Sequence, residues 1–171
     1  MELATEESEW IRGVTMKRKH RLTGFMILSV LVLCFIFSNS LQGPEVSNAK
    51  SSTIAALLRP LFDLFLQTSD TYFHFLIRKL AHFTEFALLG ICLSGVAVHT
   101  TWEERCRWML PIGGSFMAAV VDETIQRFTG RTSMFKDVLI DFSGAVFGIG
   151  LVLLWLWVRR CCRNTGQCKA K

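Results

Sequence analysis

The chain has few of the residues that interrupt an apolar fold: three prolines, one tyrosine, and 19% Asp, Glu, Lys and Arg among 171 residues. With 51% hydrophobic residues and a positive mean hydropathy, this argues against both disorder and an ordinary soluble domain. No nucleic-acid-binding motif is present, and the net charge of +5 is not gathered on one basic face, so no nucleic-acid partner is expected. Paired CxxC motifs are missing. Cys34 and Cys92 lie in apolar runs, while Cys106, Cys161, Cys162 and Cys168 lie beside basic residues, which argues against a disulfide framework. The Cys161–Cys162–Cys168 spacing has no histidine nearby and does not match a zinc site. No metal or other cofactor is expected, and no internal repeat is detectable.

What remains is a set of apolar runs punctuated by blocks of cations, the pattern that writes membrane topology. Residues 1–16 begin acidic and read as a mobile or surface-lying tail. Lys17–Arg21 then precedes the apolar run Leu22 to Phe37, and Ser38-Asn39-Ser40 lacks a small-x-small cleavage pattern. An uncleaved first transmembrane helix is therefore expected, with the N-terminus in the cytoplasm. Further spans are expected at about Leu80 to Val98, Trp108 to Phe128 and Val138 to Val158. Between the first two, Ile54, Leu57, Leu58, Leu61, Phe62, Phe65 and Leu66 recur at helical spacing. Arg59, Asp63 and Gln67 on the other face, and Pro60 within, make this an amphipathic interfacial segment rather than a span.

The expected fold class is thus all-α, a polytopic membrane protein of four transmembrane helices with that amphipathic segment between the first and second. The domain reading is a cytoplasmic tail at 1–21, a membrane domain at 22–158 and a basic cytoplasmic tail at 159–171. On this topology twelve cations fall inside and seven outside, as the positive-inside rule favours.

One consequence is that three helix ends converge on the outer surface. They bring together Arg78, Lys79, His82, Glu85, Asp122, Glu123, Gln126, Arg131, Asp137 and Asp141. A charge at the centre of a spanning helix costs about 2.5–3.5 kcal/mol on insertion scales, so such groups persist where they face one another or a wet cavity. Arg78, His82 and Glu85 share one helix face, Asp122 and Gln126 another, and Asp137 and Asp141 are again four apart. Gly114, Ala118 and Asp122 form one stripe and Asp141, Gly144 and Gly148 a second, so the polar faces coincide with small-residue packing faces. Arg78, Lys79 and Arg131 suit phosphate or carboxylate recognition. His82 with Glu85, Asp122 and Glu123 has the types of a general acid and base, with Gln126, Asp137 and Asp141 completing the binding set. The plainer readings are snorkelling for Arg78 and Lys79, and helix-to-helix pairing of Asp141 with Arg131 or Arg78.

These blocks resemble the VanZ-like family, whose pattern is roughly RKxAHxxEYxxLG, DExxQxF, GR, D and a glycine-bearing last helix. The match runs through Arg78–Gly90, Asp122–Phe128, Gly130-Arg131 and Asp137–Gly148, with Phe37-Ser38-Asn39 resembling the family's close of its first span. Phe86 stands where Tyr is common, Thr129 where Pro is common, and Asp141 where Asn is common. The resemblance implies a small bacterial membrane protein, and the four expected spans with their cation pattern make it multi-pass in the cell membrane with both termini cytoplasmic. The family's namesake accompanies glycopeptide resistance and reduces susceptibility to teicoplanin. The resulting expectation is an outer-leaflet site that binds or modifies an anionic lipid or lipid-linked cell-envelope precursor. The alternative is a non-enzymatic scaffold or assembly partner for envelope proteins. A proton-linked transporter ranks last, because the inner halves of the spans offer almost no polar path.

Overall fold

The computed structural model describes residues 2–43, 52, 56, 59, 70–130 and 135–168. Among them are five helices and no strand: α1 (Glu2–Ser40), α2 (Asp70–His99), the single turn α3 (Glu104–Arg107), α4 (Met109–Phe128) and α5 (Phe135–Cys168). Thr15–Ser40, Tyr72–His99 and Phe135–Arg163 are long and apolar enough to cross a membrane. α4 has 20 residues, about the 30 Å of a hydrocarbon core. Its last third carries Asp122, Glu123, Gln126 and Arg127, which sets it apart from the other three long helices.

The helices are longer than the apolar runs that seed them. Residues 2–16, expected as a tail, continue α1, since their Glu, Ala, Met and Arg residues favour helix and no proline intervenes. α2 begins at Asp70 rather than near Leu80, so Arg78 and Lys79 lie more than two turns inside it. α5 likewise carries on through the basic tail to Cys168. The amphipathic segment lies outside the described residues apart from Ala56 and Arg59, whose guanidinium carbon sits 5.4 Å from the Phe73 ring centroid.

α2 is the most enclosed of the long helices, with α5, α1 and α4 packed around it. The buried positions fall at helical spacing. They include Ser29, Val32, Ile36 and Ser40 on α1, and Pro111, Ser115, Ala118, Asp122 and Gln126 on α4. The inner core joins Ile36, Phe86, Leu89, Ala119 and Ala145. Leu31, Phe35, Leu88, Phe147 and Leu154 remain exposed, an outward apolar coat that a protein in water rarely keeps but hydrocarbon accepts.

α2 and α5 meet backbone to backbone. A Cβ on Gly144 would overlap the carbonyl oxygen of Phe83, one on Gly148 that of Ala87, and one on Gly90 that of Ala145. The glycines thus let the helices approach more closely than side chains allow. Arg18 closes the end of α2 by donating from Nε to the His99 carbonyl (2.9 Å) and from Nη2 to the Thr100 carbonyl (2.7 Å). At the end of α4, Gly130 adopts φ 77°, the left-handed conformation that a helix C-terminus commonly requires.

Candidate functional site

The approach of α2, α4 and α5 sets their polar residues against one another. His82 Nδ1 on α2 lies 3.9 Å from Glu85 Oε2, 3.9 Å from Asp122 Oδ2 on α4 and 3.9 Å from Asp141 Oδ1 on α5. Asp122 is fully buried and Asp141 nearly so, while His82 and Glu85 keep a small exposed fraction. Asp141 stands six residues from the start of α5 and Asp122 six from the end of α4, so the cluster is about 9 Å inside those helix ends.

The first helix completes it. Ser40 Oγ donates to Asp122 Oδ1 at 2.5 Å, and Gln126 Nε2 donates to Asp122 Oδ2 at 2.6 Å. Gln126 Nε2 also reaches Ser40 Oγ at 3.3 Å, and Asn39 Nδ2 donates to Glu85 Oε1 at 3.0 Å. Thr129 Oγ1 ties the loop after α4 to the Ser40 carbonyl at 3.3 Å. Hydrogen bonds to a carboxylate are the strong kind, and here they fix the orientation of Asp122 and Glu85.

One turn before His82 and one turn before Asp141, Lys79 pairs with Asp137 as a rim to the cluster. The Lys79 ammonium also lies 5.2 Å from the Phe75 ring centroid. Arg78 is half-buried, Glu123 is buried beside Asp122 in sequence, and Arg131 lies outside the described residues. The structure therefore gathers His82, Glu85, Asp122, Gln126 and Asp141 into one cluster, with Lys79 and Asp137 beside it. In that cluster Asp141 faces His82 at 3.9 Å.

Sequence reasoning missed Asn39 and Ser40 as members of the site. Their only signal was the position of Phe37-Ser38-Asn39 at the close of the first span. Nothing in residue spacing alone could place that close against Glu85 and Asp122, which are 46 and 82 residues further on.

Chemically, the cluster has an imidazole within reach of three carboxylates on three helices, in a site largely shielded from solvent. Such a set can accept, hold and return a proton, or orient a hydroxyl or amine. His82, Asp122 and Asp141 each offer a donor atom within 4.8 Å of the others, so the same three residues have the types and proximity to hold a divalent cation.

Residues 25–157 match a family described as VanZ/LLP1, an interval that takes in α1 from Phe25, all of α2 to α4, and α5 to Trp157. No curated protein and no solved structure matches the chain.

Proposed function

The chain belongs to the VanZ/LLP1 family, and on that premise we propose that it is a four-span membrane protein whose buried polar site takes the head group of a membrane lipid. The observation that carries this reading is the equal approach of His82 to Glu85, Asp122 and Asp141 at 3.9 Å. A scaffold alone needs no such convergence of ionisable groups, because buried ion pairs are seldom the most stable way to join helices. α4 is the fourth span in this reading. Its polar third faces the bundle, where Asp122, Glu123 and Gln126 are buried.

The site lies toward the outer leaflet and both termini lie in the cytoplasm, a placement supported by the cations that precede the apolar run within α1 and those that end α5. The ligand is an anionic lipid or a lipid-linked precursor of the bacterial cell envelope. Arg78 and Lys79 meet its phosphate at the rim, and Arg131 is assigned the same role from the sequence alone, while Asp137 and Gln126 order the surrounding groups. His82, Glu85, Asp122 and Glu123 supply the proton transfers should a bond of the head group be made or broken. Lower susceptibility to teicoplanin is the expected cellular effect.

A second reading has its own support. The bonds Ser40–Asp122, Asn39–Glu85 and Lys79–Asp137 each join two helices, as an assembly scaffold for envelope proteins would require. The experiment that separates them is teicoplanin susceptibility in a Gram-positive host producing the native chain, His82→Gln or Glu123→Gln at matched membrane abundance. Resistance conferred by the native chain and lost in both variants supports a site that acts directly. Variants that cannot be brought to matched abundance favour the scaffold, and an unchanged host with the native chain removes the resistance role.

A further inference from the structure

We propose that the groove at the far end of the bundle from the carboxylate cluster seats one hydrocarbon chain of an anionic phospholipid, with the lipid phosphate at a rim formed by Arg18 and Arg159. The site needs only that α1, α2 and α5 cross a bilayer. It is separate from the head-group site proposed above and lies in the opposite leaflet, cytoplasmic on that topology. The groove has a volume of about 290 Å³ and is lined by Phe25 of α1, Ile91 and Val98 of α2, and Leu151, Val152 and Trp155 of α5. That volume is at the low end of small-ligand sites, enough for one chain rather than a whole lipid.

Three observations decide the occupant. The first is the medium. Leu151 and Trp155 are exposed on the groove's walls. Both belong to a helix long and apolar enough to span, so hydrocarbon lies beside them. The second is direction. His99 is the last residue of α2 and of its apolar span, and Ile91 lies eight residues deeper. That is about 12 Å of helix, against about 15 Å for one leaflet's share of the hydrocarbon core. The groove thus starts at the membrane surface and runs toward the midplane, as a lipid chain does.

The third is charge at the surface end. Arg159 Cζ lies 4.1 Å from the Trp155 ring centroid, which places its guanidinium over a groove wall. Arg18 is pinned at the same end by its bonds to the His99 and Thr100 carbonyls. The His99 ring, which lines the mouth, is held by Nδ1 donating to the Gly95 carbonyl at 2.8 Å and by stacking on Phe25 at 5.4 Å. A Cβ on Gly95 would overlap the Phe25 ring, so the glycine admits this stack against the α2 backbone. Among the described residues, Lys17, Lys19, Arg21, Arg107 and Arg160 add positive charge at this end, against Glu103 and Glu104. Basic pockets between spanning helices on the cytoplasmic side suit anionic head groups, and arginine's planar fork suits phosphate. A zwitterionic lipid would fill the apolar part equally and gain less from the rim.

The test uses the full chain in nanodiscs whose bulk lipid is zwitterionic. Two probes are added in trace, a phosphatidylglycerol and a phosphatidylcholine, each with a photoactivatable diazirine midway along one chain. Peptide mapping of the adducts compares the groove, at Ile91–Val98 and Leu151–Trp155, with a reference at the exposed Phe116 and Met117 of α4. Each cation beside an anionic head group favours it about fivefold, so two predict an anionic preference in the groove about twenty-five-fold above that at the reference. Arg159→Gln should cut this preference about fivefold, and Arg159→Lys, which keeps the charge, should retain it. Val152→Trp, or Ile91→Trp from the facing helix, fills the groove and should remove most of its adducts with both probes while the reference adducts stay the same. The outcome therefore does not hang on one variant folding.

Equal labelling of the groove by the two probes, or a preference unaltered by Arg159→Gln, would overturn the proposal. So would groove adducts that appear in nanodiscs holding one chain and vanish in those holding two, which would assign the face to a second copy. Glu85 lies fourteen residues before His99, about 21 Å along α2. Adducts in this groove are thus read apart from the outer site, which stands or falls on the susceptibility experiment.

Discussion

Replacing Gly144 with alanine should loosen the joint between α2 and α5, and the same change at Gly150 should not. Both glycines lie within one helix, so intrinsic propensity favours alanine at each by about 0.8–1 kcal/mol. They differ in what the added methyl meets. At Gly150 nothing lies within 4 Å. At Gly144 the methyl would overlap the carbonyl oxygen of Phe83 and stand 3.0 Å from that residue's carbonyl carbon and Cα. Those atoms are backbone and cannot rotate aside, so the helices themselves must part. Overpacking of this kind costs about 1–3 kcal/mol, or more where the backbone is rigid. Because the propensity gain is common to both, the variants should differ by the overpacking cost, about 1–3 kcal/mol, which leaves Gly144→Ala a net loss of up to about 2 kcal/mol and Gly150→Ala a small gain. Phe83 adjoins His82, and Gly144 is three residues from Asp141, so the parting should also lengthen the approach of those two side chains. Denaturation in mixed detergent, followed by helical circular dichroism, gives the comparison. Equal stability of the two variants would refute the claim that α2 and α5 touch through their backbones.

Three other outcomes follow from the polar contacts. Asp122→Ala removes the acceptor shared by Ser40 and Gln126 inside the bundle, which should cost about 2–4 kcal/mol in the same denaturation assay. Asp122→Asn keeps the shape and one acceptor, and should cost about 1–2 kcal/mol. A double-mutant cycle of Lys79→Met with Asp137→Leu should show a coupling of about 1–2 kcal/mol, because the two side chains pair in a largely enclosed position. Additive single effects would mean the pair contributes nothing. Arg18→Ala removes two donors from the exposed end of α2, a loss of about 0.5–1.5 kcal/mol. Hydrogen exchange should quicken at the amides of residues 96–100 while those around Glu85 keep their protection.

Much of the candidate site was legible before any fold was known, because the lipid-like composition made every charged residue conspicuous. His82 and Glu85, like Asp122 and Gln126, could be paired by the helical repeat within one segment. The small-residue stripe from Asp141 through Gly144 and Gly148 marked a packing face, and the structure places those glycines against Phe83 and Ala87. The errors lay at the ends of helices. Periodicity and hydropathy mark where an apolar run stops, whereas the helix goes on wherever backbone propensity permits. That is why α2 starts at Asp70 and why α1 reaches back to Glu2.

The sequence by itself determined the all-helical class, the apolar runs of spanning length and the residue types available to the site. These are set by composition and by repeats within single segments, which need no knowledge of neighbours. Tertiary structure alone decided that Asn39 and Ser40 complete the cluster, that Lys79 pairs with Asp137, and that Asp141 faces His82. Those contacts depend on the rotation of each helix about its axis and on its shift along its neighbours. The close fit of Gly144 and Gly148 against the α2 backbone helps to fix both, and no local pattern encodes them.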